Sequence, residues 1–111
     1  MAKEMNFTFR AKKINTIDGD TVHLLVDLGF HVCISVRFRL ARVNTPELKS
    51  GDPKALEARG FVDSKLNGTF TVTSKGQDKY GRYVAEIILD DGSNLSDMLL
   101  ANNLAVPYEE K

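Results

Sequence analysis

Hydrophobic and polar positions alternate with period two over much of the first forty residues. Val32, Ile34, Val36, Phe38 and Leu40 interleave with Cys33, Ser35, Arg37 and Arg39, the pattern of a strand with one face buried. Val22, Leu24 and Val26 repeat it over a shorter run, and Phe7, Phe9 and Ala11 indicate a strand before that. Gly29, in Asp27-Leu28-Gly29-Phe30, turns the second strand into the third, and Asn15 to Asp20 turn the first into the second. The result is a three-stranded antiparallel meander.

The pattern changes after Asn44. Residues 44–52, with Pro46 and Gly51, read as a loop. Asp52 caps a helix whose first residue is Pro53, and Ala55, Ala58, Val62 and Leu66, with Phe61 beside them, recur at helical spacing until Gly68. Gly60 is the weak point inside that helix. Strand character returns at Thr69–Thr73. A polar loop spans Ser74 to Gly81, a fifth strand runs from Arg82 to Asp90, and Asp91-Gly92 turns the chain. Asn94 then caps a second helix with Leu95, Met98 and Leu99 on its apolar face, ending at Asn102-Asn103. Five short strands cannot form two separate packed sheets. Closed into an OB-type barrel with the helices over its ends, they bury both edges and core, although an open α+β sheet fits the same pattern.

At 111 residues the chain is read as one domain, 1–111. Fifteen Lys and Arg balance fifteen Asp and Glu, which argues against coating nucleic acid through bulk positive charge. Any phosphate affinity has to be local. Cys33 is the single cysteine, so an internal disulfide and a cysteine-rich zinc site are excluded. No apolar run approaches the roughly 20 residues of a membrane span, and Met1–Asn6 lead into the first strand without an apolar signal core. A cytoplasmic domain without a membrane partner is expected. The sequence leaves the oligomeric state open.

Four segments concentrate charged and turn residues at strand ends or in loops: Asp18-Gly19-Asp20-Thr21, Arg37-Phe38-Arg39, Asn44-Thr45-Pro46-Glu47 and Asp78-Lys79-Tyr80-Gly81-Arg82. They supply oxygen ligands, a further carboxylate and guanidinium forks. That set suits phosphodiester hydrolysis, in which a cation offsets phosphate charge, arginines bind its oxygens and a carboxylate handles water. In order and spacing, Ile17–Val22, Phe38–Leu40, Val43–Glu47 and Asp78–Arg82 resemble the staphylococcal nuclease family, and Asn103-Leu104-Ala105 resembles the end of that family's last helix.

The resemblance implies a five-stranded OB barrel and a calcium-dependent endonuclease that hydrolyses DNA and RNA to 3′-phosphate products. It places Asp20 and the Thr45 carbonyl on the metal, with Asp18 close by, and Glu47 as the acid that positions or deprotonates water. Arg39 and Arg82 correspond to the two arginines on the scissile phosphate, and Tyr80 and Tyr108 to nucleotide-contacting tyrosines. Asn44 is a departure, because the family's best-known member has a second metal-binding aspartate there. An amide oxygen still ligates calcium but adds no negative charge, so weaker metal binding is expected. The chain also stops soon after the second helix, where that member continues into another, and part of the barrel is expected to lie exposed.

Each residue also has a plainer reading. Asp18 and Asp20 shape a turn, Glu47 braces a loop, Arg82 pairs with Asp78 at the surface, and Arg37 and Arg42 lie on a solvated strand face. His23 and His31 lack ligand spacing, and Cys33 reads as an inert thiol. The rival function is a weakened or inactive OB module that binds nucleic acid or a protein. Single-strand binding calls for stacked aromatics beside a basic groove, which a neutral chain without Trp supplies poorly.

Overall fold

The meander is formed by β1 (Phe7–Asp18), β2 (Thr21–Asp27) and β3 (Cys33–Leu40), and β5 (Thr69–Gln77) and β6 (Tyr83–Ile88) complete a closed barrel in the order β1-β2-β3-β6-β5. The computed structural model describes residues 7–108. The N-terminal stretch read as lacking a signal core, and residues 109–111, lie outside them. Closure needs one parallel contact, Phe38–Leu40 of β3 against Tyr83–Ala85 of β6. All other barrel pairings are antiparallel. The architecture is the expected mainly-β barrel with two helices, not an open sheet.

Two boundaries and one burial pattern differ from the sequence reading. β1 continues through Asn15 to Asp18 instead of turning at Asn15, because register shifts between Lys13 and Asn15 and between Thr16 and Asp18 absorb the misfit as bulges. Likewise β5 runs to Gln77, past a shift between Ser74 and Gln77, so the polar loop shrinks to the turn before Tyr83. β3 does not bury its apolar face evenly: Phe38 and Leu40 are buried, whereas Ile34 is 45% exposed. Only residues 38–40 of β3 meet β6, so the outer edge of β3 from Cys33 to Arg37 is unpaired, while β2 stays paired with β1 as far as Asp27; only the turn 28–32 lies beyond the paired strands.

The first helix, α1 (Pro53–Lys65), begins as expected, with the Asp52 carboxylate accepting the Lys54 N–H at 2.9 Å. It buries Ala55, Ala58 and Val62 and is bound to β1 by polar contacts. Asp63 accepts from Lys13 Nζ and the Thr16 hydroxyl, both at 2.8 Å, and Arg59 Nε donates to the Thr16 carbonyl at 2.9 Å. The second, α2 (Leu95–Ala101), is capped by Asn94, which accepts the Asp97 N–H at 3.2 Å, and its Leu95 and Leu99 are fully buried. No described helix is long and apolar enough to cross a membrane.

Two features carry no periodic signal. A single 3₁₀ turn, Leu48–Ser50, follows Glu47, and the two-residue strand β4 (Val43–Asn44) pairs with β7 (Val106–Pro107). The second contact brings the segment after α2 back over Asn44, and the Tyr108 N–H donates to the Arg42 carbonyl at 2.9 Å.

Candidate functional site

Arg39 occupies the centre of a buried polar cluster at the barrel rim. Alternation along β3 places its side chain opposite Phe38 and Leu40, which sequence alone reads as a solvated face. Cys33, Ser35 and Arg37 on that face are exposed, but β4 and Tyr108 cover its inner end, and Arg39 is 7% exposed. Its Nη1 donates to the carbonyls of Val43 at 2.8 Å and Leu40 at 3.2 Å, and Nη2 donates to Asn44 Oδ1 at 2.7 Å. Asp20 Oδ2 lies 3.5 Å from Nη2, and the Tyr108 ring stacks 4.6 Å from the guanidinium carbon. A buried charge requires this number of partners.

The turn between β1 and β2 sets Asp20. Its Oδ2 accepts the Thr45 N–H at 3.0 Å, its Oδ1 accepts the Thr21 hydroxyl at 3.2 Å, and Asp18 Oδ1 accepts the Leu48 N–H at 3.2 Å. The Asp-Gly-Asp turn and the 44–48 loop are therefore bound to each other through both carboxylates. Gly19 permits the approach, since a Cβ there would lie 2.7 Å from Ala58 Cβ and 2.9 Å from Thr45 Oγ1.

A second constellation lies on the β5–β6 turn. Asp78 Oδ1 accepts the N–H groups of Tyr80 and Arg82, and Oδ2 accepts Arg82 Nε at 2.7 Å. Burial pushes the Asp78 carboxyl up, but the N–H groups of Arg82 and Tyr80 and the Arg82 guanidinium outweigh it, leaving it below the usual carboxylate range. The Asp78–Arg82 pair read from sequence as a surface contact is present, with the Asp78 carboxylate almost fully buried. The Arg82 side chain stays 48% exposed, over the face of the Tyr80 ring.

Asp20, Arg39, Asn44, Thr45 and Tyr108 thus share one neighbourhood. The loop bearing Tyr80 and Arg82 adjoins it, because Arg39, Tyr108 and Asp78 line one cleft of about 40 Å³. On the other flank a groove of about 310 Å³ runs past Asn44, Thr45, Asp52, Lys54 and Asn103. Glu47 follows Thr45 on the same loop, but its exposed carboxylate meets Lys49 Nζ at 3.8 Å in solvent. Arg42 is exposed, as expected of a solvated residue, and is also bound to Glu86 at 2.6 and 3.0 Å and to Asp97 at 3.0 Å, and these acids raise its pKa further.

A family model described as "Staphylococcal nuclease homologue" matches residues 37–111. The chain belongs to this family. It is similar to an "Uncharacterized endonuclease" of Escherichia coli O157:H7, 28% identical over 99 residues, which cover 87% of this chain and 60% of the relative. It is also similar to "Endonuclease YhcR" of Bacillus subtilis (strain 168), 29% identical over 105 residues, 83% of this chain and 8% of the relative. The chain therefore spans about three-fifths of the length of the first relative and a small part of the second.

Among the described residues no three His, Cys, Asp or Glu side chains gather to hold a metal. Calcium also accepts amide and carbonyl oxygens, and here Asp20 Oδ2 and Asn44 Oδ1 converge on one point, now occupied by Arg39 Nη2. An all-oxygen set of Asp20, Asn44 and the adjoining Thr45 carbonyl fits a hard cation in kind. The set contains a single carboxylate. The sequence reading missed the anchoring roles of Arg59 and Gly19. The Asp-Gly-Asp spacing was the signal for Gly19, since the turn has to pass close to another element, whereas Arg59 gave none.

Proposed function

We propose that this domain is a calcium-dependent endonuclease that hydrolyses phosphodiester links of DNA and RNA and leaves 3′-phosphate ends. The observation that carries the reading is the convergence of buried Asp20, Arg39 and Thr45 with the exposed Asn44 in one cluster beside the Arg82 loop. Arg82, half exposed and held at Nε by Asp78, offers its guanidinium to a non-bridging phosphate oxygen. Arg39 supplies fixed positive charge from the wall of the same cleft, where low solvent access strengthens its effect on the developing charge at phosphorus.

Glu47 orients a water molecule or takes its proton as the water oxygen attacks phosphorus. The bond from phosphorus to the 5′ oxygen breaks, and that oxygen takes a proton from solvent while the attacking water's proton passes to Glu47. Tyr80, exposed beside Arg82, and Tyr108, against Arg39, flank the nucleotides. A calcium ion bound by Asp20, Asn44 and the Thr45 carbonyl would supply further positive charge to the phosphate and acidify its water.

A second reading, a binding module without turnover, is favoured by one observation: the Asn44 oxygen is already committed to Arg39. Supercoiled plasmid and a structureless RNA, incubated with calcium or with chelator, separate the two. The enzyme nicks and fragments both in calcium, with 3′-phosphate ends, and is inert with chelator. Binding without cleavage in either condition would establish the module.

A further inference from the structure

We infer that the tip of the β2–β3 hairpin, with the unpaired outer edge of β3 and the groove beside it, forms a two-fold contact with a second copy of this chain. The inference does not depend on the nuclease reading. The hairpin tip is held rigidly: Leu28 N–H donates to the Val32 carbonyl at 2.8 Å, Val32 N–H to the Gly29 carbonyl at 2.9 Å, and Gly29 N–H to Asp27 Oδ1 at 2.8 Å. Phe30 sits at the apex with φ of 55° and is 97% exposed. An aromatic residue in left-handed backbone, presented wholly to water, gains nothing from the fold that holds it.

Beside the same hairpin, where the unpaired part of β3 diverges from β6, lies an apolar groove of about 310 Å³. Phe7, Leu28, Ile34, Val36 and Tyr83 are among its walls, so the groove and the aromatic apex are contiguous through Leu28 and Ile34. A protruding ring and an apolar hollow on one face are what an isologous contact requires, because each copy then supplies the knob for the other's hole.

Area and charge favour a second copy over other occupants. With about 150–250 Å² per aromatic side chain, the exposed parts of Phe7, Leu28, Phe30, Val32, Ile34 and Tyr83 amount to on the order of 600 Å². That exceeds the few hundred Å² common on monomers and approaches the ~800 Å² per partner of a stable interface. Residues 25–36 contain no Lys or Arg and a single acid, Asp27. Asp27 is thus the one charge in this window that could meet its own copy across a two-fold axis, and Arg37, exposed farther along β3, is a lone base rather than a basic patch for a polyanion or anionic lipid.

Sedimentation equilibrium of the full chain from about 5 µM to about 1 mM tests the inference. The mass is expected to rise from 12.4 kDa toward twice that value. Phe30→Ser is expected to raise the dimer dissociation constant at least about tenfold, with an unchanged melting temperature at low concentration, since an exposed ring adds little to the monomer. Ile34→Lys, which places charge in the groove, is expected to do the same to the dimer. A single 12.4 kDa species throughout overturns the proposal. So does a dimer that ignores Phe30→Ser, or a monomer that binds phosphatidylcholine vesicles through Phe30.

Discussion

Arg39 and Asn44 are joined by a 2.7 Å hydrogen bond from Nη2 to Oδ1, and Asp20 Oδ2 stands 3.5 Å from the same nitrogen. One carboxylate and one neutral amide thus face one guanidinium, and the cluster is balanced in charge without a further cation. On the proposed metal set, a divalent ion would have to win oxygen ligands from Arg39, so metal affinity and arginine position are expected to compete.

A carboxylate at position 44 shifts that competition toward the metal. Asn44→Asp is expected to lower the calcium dissociation constant about tenfold, because ligand charge is a main determinant of calcium affinity. Titration calorimetry of the two proteins measures it. Equal affinities would remove Asn44 from the metal site.

Arg39→Lys keeps the charge but loses the planar fork. One ammonium cannot satisfy the Val43 and Leu40 carbonyls and Asn44 Oδ1 together, so buried acceptors are left unpaired. A loss of about 2–4 kcal/mol in urea unfolding is expected. An unchanged midpoint would mean that the cluster is not held by this side chain.

Asp78 titrates below the ordinary carboxylate range when folded, so its stabilising effect is fully present above the unfolded value of about 4. The effect is lost as pH falls through the lower folded value. Asp78→Asn is therefore expected to melt earlier than the parent at pH 7, with the gap closing below about pH 4. Thermal melts across that range read the gap, and a gap independent of pH would contradict the cause assigned to it.

Gly19→Ala is expected to destabilise the protein by about 1–3 kcal/mol, as overpacking does, and to displace the 44–48 loop from Asp20. The new methyl would press on Ala58 Cβ and on Thr45 Oγ1, a buried hydroxyl with no hydrogen-bond partner among the described residues. Calcium affinity should fall with stability. Full retention of both would show that the turn has room to yield.

The barrel and both helices were legible because their residues repeat at a period: Val22, Leu24 and Val26 for a strand, Ala55, Ala58 and Val62 for a helix. The β4–β7 contact was not legible, since two paired residues have no period, and that contact buries Arg39 under Tyr108. Alternation along β3 gave the side to which Arg39 points but not what lies over it. Bulges hid the true length of β1 for a related reason, as an extra residue resets the phase. Asp20, Arg39, Asn44 and Thr45 were identifiable only through the order of four short segments, because each alone passes for an ordinary turn or strand residue.

The most direct test of the account is plasmid nicking in saturating calcium by the parent, Glu47→Gln, Arg82→Ala and the control Glu57→Gln on α1. The account predicts that the first two variants lose at least about a hundredfold in rate, as expected when a water-activating group or a phosphate-binding charge is removed. The control should keep the parental rate. Equal nicking by all four proteins would contradict the proposed chemistry.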